Sequence, residues 1–247
     1  MSRFVWAMLL FVMFNGIFPA SASTISESAE NREIAAEDLD KPVASQSANS
    51  AKDMSEGAWA GPNGVHRWLK FGKYLWRVLN VYDNEGQKVA FLLAEEEVAK
   101  RPFYPTMDDN DWKNSDIKKW LNGDFYDSAF TEGEKSAILT TNYRYGGEYE
   151  GNNKTDSSKI FLLSVEEAMD DEYFAHDDDR HHASWWWLRS PGGNGTNAAI
   201  VCNVGKVYIY GFYAYLHGGV RPALSLDLSS PIFKSPSSGN EILYKQP

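Results

Sequence analysis

Aromatic residues divide this chain into a part that can build a hydrophobic core and a part that cannot. Between Ser23 and Glu56 there is no Phe, Trp or Tyr, whereas from Trp59 onward nearly every stretch carries one. A segment dominated by Ser, Ala, Glu and Asp buries too little apolar surface to offset the entropy lost on ordering it. The sequence therefore predicts a flexible acidic spacer over residues 23–58 and a single globular domain over residues 59–247.

The first 22 residues have the pattern of a secretory signal peptide. Arg3 precedes an apolar run from Phe4 to Phe14, and Ala20-Ser21-Ala22 is a small-residue pattern that signal peptidases accept. The apolar run falls short of the roughly 20 residues that a spanning helix needs. We therefore expect cleavage after Ala22, no stable membrane insertion afterwards, and a secreted, periplasmic or cell-envelope location.

Charge and cysteine content exclude several classes of function. The formal net charge is −10, with no basic run, so the surface does not suit the phosphate backbone of nucleic acids. The single cysteine, Cys202, cannot form an intramolecular disulfide, a CxxC redox pair or a four-thiolate zinc site. The chain also lacks a P-loop, a dinucleotide fingerprint and a G-x-S-x-G elbow. The oligomeric state is left open.

Hydrophobic patterns and turn residues predict an α+β domain with antiparallel strands at both ends and two or three short helices between them. Helix starts are expected at Ser115, Thr131 and Ser164, the last two as capping boxes, and Gly123 is expected to stop the first helix. The predicted strands are His66–Phe71, Tyr74–Tyr82, Gln87–Ala94, Lys159–Leu163, Ser184–Arg189, Ala198–Asn203, Lys206–Tyr215 and Gly219–Leu226.

A series of sequence blocks resembles a family of bacterial domains of unknown function, usually found in exported or surface proteins. The resemblance covers about Leu69 to Leu228. The blocks are WRVLNV (76–81), FLLAEE (91–96), WKNSDIKKWLNGDF (112–125), FTEGEKSAI (130–138), KIFLLSVEEA (159–168), WWLRSPGG (186–193) and GGVRPALSL (218–226). The closing arrangement of a W-x-R-S strand, a G-K-V hairpin and a V-R-P strand is also similar to the C-terminal half of C-type-lectin-like domains, including relatives of the formylglycine-generating enzyme.

The lectin-like resemblance implies a fold without an assigned chemistry. Calcium-dependent sugar binding in that fold uses a Glu-Pro-Asn or Gln-Pro-Asp tripeptide followed by Trp-Asn-Asp, and neither occurs here. Formylglycine generation needs a pair of active-site cysteines, which Cys202 alone cannot supply. The resemblance therefore favours ligand binding over catalysis.

The aromatic hairpin KVYIYGFYAYLHG (206–218) is the strongest candidate for ligand recognition. Tyrosine combines a flat apolar ring with a hydroxyl, which suits stacking on sugars or peptide groups at low entropic cost. In lectin-like proteins the hairpin before the V-R-P strand is the exposed ligand face. The candidate ligand-binding residues are Tyr208, Tyr210, Phe212, Tyr213, Tyr215, His217, Asn194, Asn197 and Arg189. Two alternatives stay open: the aromatic side chains fill a core, and Arg189 anchors loops.

The segment MDDEYFAHDDDRHH (169–182) is where a divalent metal would be sought. Three imidazoles and three carboxylates lie within seven residues, namely His176, Asp177, Asp178, Asp179, His181 and His182. Adjacent ligands rarely converge on one ion, and neither HExxH nor EF-hand spacing is present. We expect a solvated loop and no cofactor, with a metal site in this loop as the alternative.

These observations predict an exported, non-catalytic domain that binds an extracellular glycan or a surface protein through the aromatic hairpin. Two other hypotheses remain. One is a carbohydrate-active or metal-dependent enzyme that uses the Asp/His loop with Arg189 or His217. The other is a structural surface module that binds no ligand.

Overall fold

The computed structural model describes residues 67–106, 109–146, 154–233 and 242–244. The predicted signal peptide and spacer lie outside these residues. The described part of the chain contains no helix that is both long and apolar enough to cross a membrane. The strands, in chain order, are β1 (Arg67–Phe71), β2 (Tyr74–Asn84), β3 (Gln87–Ala94), β4 (Ala99–Arg101), β5 (Thr141–Arg144), β6 (Thr155–Ser158), β7 (Trp186–Pro191), β8 (Asn197–Val201), β9 (Val207–Tyr213), β10 (Gly218–Val220), β11 (Ala223–Asp227) and β12 (Ile242–Tyr244).

Two five-stranded sheets form the framework of the described domain. The first has the order β11-β3-β2-β1-β12, and all its neighbours are antiparallel. The second has the order β4-β10-β7-β8-β9, with β10 and β7 parallel and the other pairs antiparallel. The β5–β6 hairpin forms a separate two-stranded sheet. β9 is thus an edge strand of the second sheet.

The β2–β3 hairpin forms as predicted, with a turn at Glu85-Gly86. Both turn residues have positive φ, 53° and 88°, as a tight two-residue hairpin turn requires. The Asp83 carboxylate accepts a hydrogen bond from the Gly86 N–H at 2.7 Å and so closes the turn. This hairpin places a run of apolar β3 side chains, from Val89 to Ala94, in the core.

The helices are short, and the three predicted helix starts at Ser115, Thr131 and Ser164 have side-chain caps, whereas Tyr126–Ala129 was not predicted and has none. The helices are α1 (Asp116–Trp120), α2 (Tyr126–Ala129), α3 (Glu132–Ala137) and α4 (Val165–Ala168). The Ser115 hydroxyl accepts a hydrogen bond from the Lys118 N–H at 3.3 Å, and the capping boxes at Thr131 and Ser164 are both complete. Gly123 interrupts the helical backbone as predicted, with φ −117° and ψ −106°, and a second helical segment follows it. Leu121 and Phe125, on either side of this kink, are both buried.

Two predicted strands differ from the structure. Lys159–Leu163 is buried from Ile160 onward but forms only an isolated bridge between Phe161 and Ala223, because the Asn122 side chain takes up the backbone N–H groups of Lys159 and Ile160. The predicted strand Gly219–Leu226 is divided at Arg221-Pro222 into β10 and β11, which belong to different sheets. Pro222 lacks the N–H that a continuous ladder needs, and its carbonyl accepts a hydrogen bond from the Ala94 N–H at 2.8 Å instead.

The core is rich in aromatic side chains. Trp76, Trp112, Trp186 and Trp187 are fully buried, with Phe103 5.9 Å from Trp112 and 5.8 Å from Trp187 between ring centroids. Each indole removes a large apolar area from water. Two of the three consecutive tryptophans at 185–187 thus belong to the core. The strands and short helices together confirm the α+β class for the described domain.

Candidate ligand-binding site

The most exposed aromatic side chains of β9 are tyrosines. Tyr208, Tyr210 and Tyr213 retain 41%, 52% and 45% of their accessible surface. The Tyr208 ring centroid lies 5.9 Å from that of Tyr210 and 6.0 Å from that of Phe212. We call Tyr208, Tyr210 and Phe212 the tyrosine face. Because its two tyrosine rings are exposed while Phe212 is half-buried, the face presents flat apolar surface and phenolic hydroxyls outward.

Tryptophan side chains support the tyrosine face from below. The half-buried Trp185 ring meets Phe212 edge to face at 5.0 Å and Trp187 edge to face at 4.8 Å. The Trp187 indole N–H donates a hydrogen bond to the Arg101 carbonyl at 2.9 Å. Edge-to-face pairs of this kind fix ring orientation as well as burying area. The tyrosine face is therefore continuous with the packed core.

A bulge in β9 directs the tyrosines outward. Ala198 pairs with Phe212 and Ile200 pairs with Tyr208, so β9 has two more residues than β8 between the same pairings. Gly211 lies in the bulge with φ 64°, and a Cβ there would come within 1.8 Å of the Ala198 carbonyl oxygen. Only glycine fits both the left-handed conformation and this close approach.

The loop between β7 and β8 packs against the bulge. The Gly193 N–H donates a hydrogen bond to the Tyr210 carbonyl at 3.0 Å, and a Cβ on Gly193 would come within 2.6 Å of Tyr210 Cδ1. Asn197 Nδ2 donates to the same carbonyl at 3.2 Å, and Asn194 Oδ1 accepts from the Thr196 N–H at 3.0 Å. Asn194 and Asn197, predicted to contact a ligand, thus have side chains that hold the loop beside Tyr210.

Asn110 is the residue of this site that sequence reasoning missed. It is 6% exposed, and its Nδ2 donates hydrogen bonds to the carbonyls of Asn194 at 2.8 Å and Asn197 at 2.7 Å. In the sequence it stands within Asp108-Asp109-Asn110-Asp111, a run of residues that is typical of turns. Asp109 does form that turn, since its carboxylate accepts the N–H groups of Asn110 and Asp111 at 2.7 and 2.9 Å. Nothing local in the sequence indicates the 84-residue separation that the Asn110–Asn194 hydrogen bond spans.

The remaining residues of the predicted hairpin lie at its C-terminal end. Tyr213 and Tyr215 stack on one another, with ring centroids 5.6 Å apart and an interplanar angle of 22°. His217 is exposed in the turn that leads into β10. Of the stacked pair, Tyr213 is exposed and Tyr215 is half-buried.

Arg189 is buried below the surface at 2% exposure, apart from the exposed tyrosines. Its guanidinium makes two hydrogen bonds to the Glu167 carboxylate, of 2.5 and 2.7 Å. It also donates to the carbonyls of Leu162 and Arg144 at 2.6 and 2.7 Å and lies 4.8 Å from the Tyr143 ring centroid. The guanidinium N–H groups of Arg189 thus connect β7 to α4 and to the β5–β6 hairpin.

The Asp/His loop makes contacts to the protein around it. Arg180 forms an ion pair with Asp177 and donates a hydrogen bond to the Gly205 carbonyl at 2.8 Å. The His176 N–H donates to the Asp179 carboxylate at 2.8 Å. The side chains of His176, Asp177, Asp178 and His181 are exposed.

His182 lies between two carboxylates rather than beside the other histidines. Its Nε2 is 2.8 Å from Glu96 Oε2 and its Nδ1 is 3.0 Å from Glu97 Oε1. Ser184 donates to the same Glu97 oxygen at 2.5 Å. Within the described ranges, no group of three or more His, Cys, Asp or Glu side chains has an arrangement that could hold a metal ion.

A partly buried ion pair connects this loop to the first sheet. Arg77 makes two hydrogen bonds to Glu95, of 2.8 and 2.7 Å, and a third to the Asp179 carbonyl at 2.5 Å. Burial raises the pKa of Glu95, but the hydrogen bonds and charge of Arg77, helped by Arg221, outweigh it and leave the pKa below its usual value. Arg221 is buried over the Trp186 ring, and this burial, with repulsion from Arg77, lowers its pKa to about 10.

We expect Glu95→Gln to lower the free energy of unfolding by about 2 kcal/mol at neutral pH, the value of a hydrogen bond to a charged group. A depressed pKa contributes stability that is present above the unfolded-state value, about 4.5 for this residue, and is lost as the pH falls through the folded-state pKa. The difference between wild type and variant should therefore shrink on acidification below that value. Urea denaturation across a pH series measures it. A difference independent of pH would contradict the ion-pair account.

The described structure is thus an α+β domain with an aromatic edge strand. Residues 87–228 match the family model described as Domain of unknown function (DUF6273), and the chain belongs to this family. The membership agrees with the resemblance to a family of unknown function. No curated protein and no solved structure matches the chain.

Proposed function

We propose that this protein is an exported, non-catalytic domain that binds an extracellular glycan through the tyrosine face. The proposal rests on the exposure of Tyr208 and Tyr210. The bulge of β9, the loop beside it and the tryptophans beneath it hold these two side chains in place. Aromatic side chains this exposed do not add to the core of the domain. A rigid aromatic surface binds with little loss of conformational entropy.

The chemistry of tyrosine suits a carbohydrate ligand. The ring faces stack on the C–H faces of sugars, and the hydroxyls donate and accept hydrogen bonds with sugar hydroxyls. The net charge of −10 disfavours polyanionic partners such as nucleic acids. A neutral glycan therefore fits the face better than a phosphate-rich polymer.

We also propose that the domain has a C-type-lectin-like fold. Two observations support this fold. Strands from both ends of the described domain pair in one sheet, and the second sheet contains the W-x-R-S strand, the G-K-V hairpin and the V-R-P strand. In a lectin-like domain this hairpin presents the ligand face. Export by the predicted signal peptide would place it outside the cytoplasm, held at a distance by the spacer.

The test is a glycan-binding screen of the purified chain, followed by titration of any hit against a Tyr208→Ala/Tyr210→Ala double variant. We expect Kd to rise at least about tenfold, which corresponds to about 1.4 kcal/mol. Since both side chains are exposed, stability should change by less than about 1 kcal/mol. Thermal unfolding of both proteins checks this.

Tyr82→Ala is the matched control. Tyr82 is 41% exposed, the same fraction as Tyr208, but it lies on β2 of the other sheet. We expect Tyr82→Ala to bind glycan like the wild type. Equal weakening by the control, or unchanged binding by the double variant, would reject the tyrosine face as the site. Binding to a surface protein but to no glycan would reject the ligand class.

A further inference from the structure

Two Asn-Gly pairs in the described part of the chain, Asn194-Gly195 and Asn122-Gly123, lie in contrasting surroundings. In an Asn-Gly pair the backbone nitrogen of glycine can attack the side-chain carbonyl carbon of the preceding asparagine. The absence of a Cβ on glycine leaves this approach unhindered and the backbone free to adopt the geometry needed. The surroundings of each pair then decide whether attack occurs.

Asn194-Gly195 is open to this attack. Both residues are exposed, and a Cβ on Gly195 would meet nothing within 4 Å. The Gly195 N–H donates no hydrogen bond to any residue that the structure describes. Asn194 Oδ1 accepts hydrogen bonds from the Thr196 N–H at 3.0 Å and the Thr196 hydroxyl at 2.9 Å. Two donors on this oxygen stabilise the negative charge that develops there when a nucleophile adds to Cγ.

At Asn122-Gly123 the surrounding hydrogen bonds prevent this attack. Asn122 Nδ2 donates to the carbonyls of Lys118 at 3.1 Å and Ile160 at 2.7 Å. Its Oδ1 accepts from the N–H groups of Lys159 at 3.2 Å and Ile160 at 3.0 Å. Four hydrogen bonds fix both ends of this amide, within a helical turn, so the side chain cannot rotate toward the Gly123 nitrogen without breaking them.

We propose that Asn194 is a site of spontaneous deamidation and that the fold protects Asn122. The Gly195 nitrogen, after losing its proton, forms a bond to Asn194 Cγ. The bond between Cγ and the amide nitrogen breaks, and ammonia leaves with the proton. Water then opens one of the two C–N bonds of the resulting succinimide, giving aspartate or isoaspartate. The net reaction is hydrolysis of the amide and needs only water.

The product places a new negative charge in the loop that supports Tyr210. The Asn194 carbonyl accepts a hydrogen bond from Asn110, and the neighbouring Gly193 packs on Tyr210. Isoaspartate adds a methylene group to the backbone at position 194 and so shifts these contacts. The proposal concerns the chain itself and stands whether or not the tyrosine face binds a glycan.

The experiment ages the purified full chain in mildly alkaline buffer, natively and in concentrated urea, and follows each site by tryptic peptide mapping. Residues 190–206 contain Asn194 and residues 120–135 contain Asn122, so the two sites fall in separate peptides. We expect native protein to convert Asn194 to aspartate and isoaspartate while Asn122 keeps its amide. In urea both should convert.

Gly195→Ala is the control that leaves the fold unchanged, because its added Cβ enters open space. We expect it to slow conversion of Asn194 by more than about tenfold, a barrier increase of about 1.4 kcal/mol. Native protein in which Asn194 persists while the urea-treated chain converts would overturn the proposal. Equal conversion at Asn122 and Asn194 in native protein would also overturn it.

Discussion

Replacing Glu167 with alanine is expected to lower the free energy of unfolding by about 3 kcal/mol, the lower end of the cost of breaking a buried ion pair, since Arg189 is buried and Glu167 is partly exposed. The change removes both hydrogen bonds that the Arg189 guanidinium, which is 2% exposed, donates to the Glu167 carboxylate. It also removes the capping-box hydrogen bond of 2.9 Å from the Ser164 N–H to Glu167. Urea denaturation of the purified variant measures the loss.

Glu134→Ala is the matched control, because Glu134 occupies the same position in the other capping box. Its carboxylate accepts hydrogen bonds from the N–H groups of Thr131 at 2.7 Å and Gly72 at 3.1 Å, and no buried cation pairs with it among the described residues. Loss of a cap alone costs about 1 kcal/mol. Similar losses in the two variants would mean that the Arg189–Glu167 pair adds nothing beyond the cap.

Gly211→Ala is expected to lower the free energy of unfolding by more than about 3 kcal/mol, since left-handed strain of about 1–3 kcal/mol adds to a steric overlap. The overlap is with the Ala198 carbonyl oxygen, 1.8 Å from the position of a Cβ. The β8–β9 pairing has to separate to relieve it, so the tyrosine face should be disturbed as well. Thermal and urea unfolding quantify the effect.

Gly195→Ala provides the comparison on the same side of the molecule. Gly195 lies in the loop that packs against the bulge, but a Cβ there meets nothing within 4 Å. The expected change in stability is within about 0.5 kcal/mol, as for ordinary surface substitutions. If Gly211→Ala were equally mild, the bulge would not be the constraint that the geometry indicates.

Local signals in the sequence predicted much of this fold. The capping boxes at Thr131 and Ser164 and the β2–β3 turn depend on residues within a few positions of one another, so pattern alone identifies them. The division of the predicted strand Gly219–Leu226 at Arg221-Pro222 depends on which sheet each half joins, which is a long-range property. The strand pairing of Lys159–Leu163 is also a long-range property, because its apolar pattern indicates burial but not a pairing partner.

The candidate site shows the same limit. In the sequence the tyrosines of β9 form an alternating aromatic run. Strand periodicity therefore predicts that Tyr208 and Tyr210 lie on one face. Asn110, Trp185 and Gly193 complete the site from distant parts of the chain. Sequence position does not reveal such contacts, and so it also could not show that Arg189 pairs with Glu167 beneath the surface.

The most direct test of the central claim is a tyrosine-selective NMR titration of the full chain with soluble fragments of the glycan found in the screen. Ring signals are assigned with single Tyr→Phe variants. The account predicts shifts for Tyr208 and Tyr210 and none for Tyr143 and Tyr145, which are 7% and 6% exposed. Shifts confined to tyrosines outside β9, or saturable binding that leaves every tyrosine signal unchanged, would contradict it.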